Sequence, residues 1–119
     1  MTKETLAATL NLAFGVAAVD GFHDDEKEIL AKELKSYNLS GDDAEHVIAI
    51  YQNMSVLKAL NIIAGADDDV RKEAHALIVF TIIADGEASD KELGAYELVK
   101  ALCDLPPMEV EEARRILGF

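Results

Sequence analysis

Tryptophan is absent, proline occurs twice, cysteine once, and aromatic side chains make up only 6% of the 119 residues. With Cys103 alone, no intramolecular disulfide can form and a cysteine-based zinc site is excluded. That thiol stands among Val99, Leu102 and Leu105, a setting that predicts a buried, unreactive group. Scarce proline and the lack of any Ser/Gly-rich stretch argue against a flexible linker or a disordered segment. Cationic residues are also few: 11 Lys and Arg stand against 23 Asp and Glu, a formal net charge of -12. Nucleic-acid binders neutralise phosphates with clustered cations, so this balance argues against nucleic acid, nucleotides and anionic lipid heads. Cations, basic proteins and neutral partners fit it, and solubility alone accounts for it equally well.

Long apolar runs are missing too. The longest, Ala76 to Ala84, is about half a membrane span and is bracketed by charge. The stretch from Leu6 to Val19 is largely apolar, but it follows no basic leader and carries Asn11 at helical spacing. A core helix is expected there rather than a signal peptide. The expectation is a single domain over residues 1–119, cytoplasmic and without membrane insertion.

What the chain does have is apolar content, 50% of residues, arranged with a helical period between capping signals. About seven helices are predicted. The first runs from about Lys3 to Val19 and stops at Asp20-Gly21; the second starts at Asp24-Asp25 and ends near Tyr37-Asn38. Ser40-Gly41-Asp42 opens a third, and Ser55 caps a fourth over Val56 to Ala64, ended by Gly65. The fifth starts in the Asp67-Asp68-Asp69 run, where carboxylates meet free N–H groups. Its Ala76–Ile83 portion is apolar on every face, so it is expected to be the buried centre. Ser89-Asp90-Lys91-Glu92 reads as a capping box for the sixth helix, running to about Asp104. Pro106-Pro107 is expected to open the seventh, which ends at Gly118. No stretch alternates polar and apolar residues as a strand does.

Two segments match. Ala18-Val19-Asp20-Gly21-Phe22-His23-Asp24-Asp25-Glu26-Lys27-Glu28-Ile29 aligns with Ile83-Ala84-Asp85-Gly86-Glu87-Ala88-Ser89-Asp90-Lys91-Glu92-Leu93. Each is an apolar helix, an Asp-Gly stop, an acidic cap and a new amphipathic helix, which predicts a duplicated hairpin with halves of approximately 1–54 and 55–119. The second copy, Ala84-Asp85-Gly86-Glu87-Ala88-Ser89-Asp90-Lys91-Glu92, resembles the A-D-G-x-x-S-x-x-E signature of the tellurite-resistance TerB family. The first copy departs from it, with Lys27 where the second has Glu92; Glu28 restores the match if the first loop is one residue longer. The resemblance implies an all-α fold of two pseudo-symmetric halves, an acidic site fed by both, and a link to tellurite or metal stress. It implies no enzymatic reaction.

Asp20, Asp24, Glu28, Asp85 and Glu92 are accordingly the candidate metal ligands. Packing the two hairpins together would gather them, and each pair of carboxylates at 4 Å repels by about 4 kcal/mol at an effective dielectric of 20. A hard divalent cation of the Ca²⁺ or Mg²⁺ class would relieve that repulsion. Capping explains the same residues without a metal: Asp24, Ser89 and Glu92 as N-terminal caps, Asp20 and Asp85 as polar helix ends. An EF-hand is excluded, since it needs oxygen ligands four and two positions before the Asp, where Thr81 and Ile83 stand in an apolar helix. His23 lies in the first Asp-Gly loop, where it could add a nitrogen ligand, although an exposed loop histidine is the more ordinary reading. His46 and His75 sit singly on helices, without a partner at metal-ligand spacing. There is no phosphate loop, nucleotide fingerprint or nucleophile elbow. The expectation is a non-enzymatic metal-responsive or interaction module. Its rival is a metal-independent adaptor for a basic or apolar protein surface.

Overall fold

The computed structural model describes residues 2–17, 39, 41–83 and 89–118. Among them are six helices and no strand: α1 (Lys3–Ala17), α2 (Gly41–Gln52), α3 (Val56–Ala64), α4 (Asp68–Ile83), α5 (Asp90–Leu102) and α6 (Val110–Leu117). The predicted second helix and the first copy of the matched segment, residues 18–29, lie outside the described residues, as do both Asp-Gly stops. The radius of gyration is 13.0 Å, the size of one domain of about 100 residues. No single described helix is long and apolar enough to cross a membrane.

The helix ends follow local chemistry. Ser55 caps α3, its side chain accepting from the Lys58 N–H at 3.1 Å. At the far end Gly65 closes the helix with φ of -90°, so this glycine is not used for left-handed backbone. Gly118 is, with φ of 78° at the end of α6. The diproline does not open the last helix as expected. Pro106 and Pro107 lie in the connection, and α6 begins three residues later behind Glu109, which makes no side-chain cap. The preceding turn explains the shift. Asp104 adopts φ of 52°, and the chain must leave that turn and bring Leu105 into the core, where it is 6% exposed, before a new helix can start.

Two helices form the centre rather than one. In α4 every residue from Ala74 to Val79 is buried, as are Thr81 and Ile82, while Phe80 is half-buried. In α1, Leu6 to Leu10, Leu12 to Phe14 and Val16 are buried as well. Each central helix carries a buried threonine whose hydroxyl donates to the carbonyl four residues back: Thr9 to Thr5 at 2.8 Å and Thr81 to Leu77 at 2.7 Å. That satisfies a polar group inside an apolar core through the helix's own backbone. Asn11 ties α1 to the α2–α3 connection, its Nδ2 donating to the Met54 carbonyl at 2.8 Å. Phe14 meets Tyr51 edge-on, with centroids 6.2 Å apart. Cys103 is buried as predicted; its thiol donates to the Leu60 carbonyl at 3.7 Å, and burial raises its pKa against the opposing pull of Arg71.

Candidate functional site

Of the five candidate ligands, Asp20, Asp24, Glu28 and Asp85 lie outside the described residues. Glu92 is described, at the third position of α5. Its N–H donates to the Ser89 hydroxyl at 3.1 Å, and its own Oε1 accepts from the Ser89 N–H at 3.3 Å. This is the reciprocal capping box read from the sequence. The surprise is its depth: Glu92 is only 7% exposed, far less than a capping glutamate on a free helix face. Among the described residues, no group of three or more His, Cys, Asp or Glu side chains is placed to hold a metal ion.

Two other surfaces stand out. The first is apolar. Val56 and Leu57 at the start of α3, and Leu98 and Leu102 one turn apart on α5, are 55–69% exposed. Val56 and Leu98 line a groove of about 190 Å³ together with Asn11, Leu12, Gly15 and Val16 of α1 and Ala95 and Val99 of α5. Gly15 is exposed, and a methyl group built on it would meet nothing within 4 Å. The missing side chain leaves the α1 backbone open along the groove.

The second is a cleft of about 450 Å³ between the first turns of α4, the Pro106–Met108 connection and Glu112 of α6. His75 forms part of its wall, although the residue is 0% exposed. Its Nε2 is hydrogen-bonded to the Tyr96 hydroxyl of α5, with ring centroids 5.6 Å apart, and the Lys100 ammonium lies 5.5 Å from the Tyr96 centroid. Burial, then Lys100, lowers the His75 pKa to about 4 against the opposing effect of Glu112. Burial, then Glu97, raises that of Tyr96. Both groups are therefore neutral near pH 7. The contact fits two tautomers: the Tyr96 hydroxyl donates to Nε2 and the ring proton sits on Nδ1, or Nε2–H donates to the hydroxyl oxygen. A phenol being the better donor and an imidazole nitrogen the better acceptor, the first is favoured. Among the described residues that Nδ1 has no partner. Elsewhere on the cleft wall, Arg71 is paired with Asp68, and Lys72 stands 3.8 Å from Glu112. With Asp68 91% exposed, such a pair contributes about 0–1 kcal/mol.

Sequence reasoning passed over His75 because it looked for histidines paired at ligand spacing. The available signal was a different one: a titratable side chain set between Ala74 and Ala76 in an otherwise apolar run.

No family model matches the chain, and no curated protein matches it. A solved structure does. The crystal structure of a protein of unknown function from Porphyromonas gingivalis W83 superposes with a TM-score of 0.84 over 100% of this chain and 91% of that one, at 22% identity. The likeness is one of fold.

Proposed function

We propose that the chain is a non-enzymatic TerB-like binding module of the cytoplasm, acting in the response to tellurite or metal stress. In this reading it receives a basic amphipathic helix of a partner protein on its apolar face. The two-repeat, seven-helix plan belongs to the same proposal; the capping box at Ser89 within the A-D-G-x-x-S-x-x-E segment supports it.

The observation that carries the binding role is a largely apolar groove with exposed Val56 and Leu98 in its wall, on helices that also expose Leu57 and Leu102. Contiguous exposed apolar surface rimmed by polar residues marks a contact site. A helix laid in such a groove buries its own apolar stripe. Charge selects the occupant: a chain of net charge -12 repels a second copy of itself and attracts a basic segment.

Substitution at Gly15 tests this. Gln at position 15 keeps the net charge, suits a helix better than glycine, and projects into the groove. Titrated with a Leu/Lys amphipathic peptide of about four helical turns, the wild-type protein is expected to bind saturably, and Gly15→Gln to bind at least about tenfold more weakly at a melting temperature no lower than that of wild type. Equal binding by the two proteins would show that the peptide merely follows charge, and the groove would lose its role.

Glu92 favours a second reading, a divalent-cation site of the Ca²⁺ or Mg²⁺ class. A buried carboxylate requires compensation, and among the described residues the Ser89 N–H is what hydrogen-bonds to it. Gln at this position retains the capping acceptor and removes the charge. If Glu92 binds a cation, wild type gains about 2.7 kcal/mol at free ion 100-fold above its dissociation constant, and Glu92→Gln loses most of that gain. Thermal melts in EDTA and in millimolar Ca²⁺ or Mg²⁺ measure it. Identical metal responses in both proteins leave Glu92 as a cap alone.

A further inference from the structure

We propose that the cleft beside His75 binds a small monocarboxylate with an apolar body. Arg71, Lys72 and the Nδ1–H of His75 take the carboxylate, and Pro106, Pro107 and Met108 take the body. The cleft shares no residue with the apolar groove lined by Gly15, so this inference stands or falls separately from the proposed docking role.

Size comes first. About 450 Å³ lies within the range of small-molecule sites, about 300–1,000 Å³. The chemistry of the wall then narrows the class. Two cations sit side by side in the first turns of α4, and neither is firmly held. The carboxylate paired with Arg71 is 91% exposed, whereas Arg71 itself is 24% exposed and lies along the wall. Lys72 stands off from Glu112 at 3.8 Å, beyond a good hydrogen bond. A ligand carboxylate displaces the exposed partner and offers Arg71 the two-pronged pairing its planar guanidinium favours.

His75 supplies the independent observation. It is 0% exposed, and its Nδ1 has no partner among the described residues, although buried polar groups are nearly always paired. The binding form is the tautomer in which Tyr96 donates to Nε2; Nδ1 then carries the proton and requires an acceptor. A cationic ligand or a metal ion provides none.

The acidic neighbours favour a single charge over a double one. Asp68 and Glu112 also border the cleft, and their field opposes a second negative charge, which disfavours phosphate. Two prolines and a methionine make the remaining wall apolar and largely rigid. The ligand therefore carries one charge at one end and hydrocarbon at the other.

The test titrates hexanoate, benzoate, inorganic phosphate and hexylamine into the isotopically labelled full chain. Ring-nitrogen resonances of His75 and the methyl resonance of Met108 are followed by NMR. Saturable movement of both signals with hexanoate or benzoate, and not with phosphate or hexylamine, is the expected result. Arg71→Met is expected to weaken binding at least about tenfold. Lys72→Met, at a side chain already 56% exposed, gives a second reading if the first variant unfolds, and is expected to weaken binding several-fold. Three outcomes overturn the proposal: no saturable shift with either carboxylate, an equal response to phosphate or hexylamine, or undiminished affinity in a folded Arg71→Met or Lys72→Met protein.

Discussion

Acidification from pH 6.5 to about 4 is expected to cost the protein about 3 kcal/mol through His75 alone. In the unfolded chain this imidazole binds a proton below its ordinary pKa of 6.5; in the folded chain it resists protonation down to about 4. Within that window the unfolded state holds more protons, so stability falls as pH falls. Above 6.5 the contribution is fully present; below 4 it is gone. A displacement of this size, at about 1.4 kcal/mol per pKa unit, gives the quoted loss. Carboxylates titrate in the lower part of the same range, and the comparison that isolates the histidine is His75→Gln. Glutamine accepts the Tyr96 hydroxyl through its amide oxygen and cannot be protonated in this range. Urea denaturation of both proteins at pH 7, 5.5 and 4.5 reads the difference. Wild type should lose its advantage over the variant as the pH drops. Parallel curves would mean that His75 titrates normally despite its burial.

The largest single losses should come from both central helices together. Ile78 of α4 is 0% exposed and Leu10 of α1 is 1% exposed. Truncation of either to alanine removes buried methylenes and leaves a cavity, for a cost of about 2–5 kcal/mol. Leu57→Ala is the control: the side chain is 69% exposed, and the change should stay within about 0.5 kcal/mol of wild type. Chemical denaturation midpoints at constant m-value rank the three. If Leu10→Ala proves as mild as Leu57→Ala, α4 is the sole centre, as the apolar run alone suggested.

The sequence made the caps legible because capping is local. Ser55 with Lys58, and Ser89 with Glu92, lie within one helical turn, and the structure forms those bonds. The apolar run of α4 was equally readable, since nothing but burial accommodates it. The diproline misled because proline suits a first helical turn and a connection alike; the demand to bury Leu105 decided between them. On α5, residues 95, 99 and 103 form one apolar stripe and 98 and 102 the next. Periodicity marks both, but only the packing of α1 and α3 shows that Val99 and Cys103 turn inward while Leu98 and Leu102 stay exposed. The His75–Tyr96 contact spans 21 residues and two helices, so no spacing rule encodes it. For the acidic candidates, the one described residue, Glu92, was placed correctly as a cap; its depth was not foreseeable, because a capping box says nothing about what packs over it.

The burial of α1 also bears on how the chain comes to be folded. This helix leaves the ribosome before any of its partners, yet it is nearly as apolar around its circumference as α4. Its tie to the α2–α3 connection reaches 43 residues ahead, from Asn11 to Met54, and its packing against α4 lies farther ahead still. Until α2, α3 and α4 have emerged, a growing chain carries Leu6, Leu10 and Phe14 without these packing partners, a state prone to association with other nascent chains. Folding is thus held back to a late, concerted docking of distant segments, which lengthens the search relative to a bundle closed by successive neighbours. Rearranging the gene so that α1 follows α6 would shorten that interval of exposure without altering a single side chain of the core.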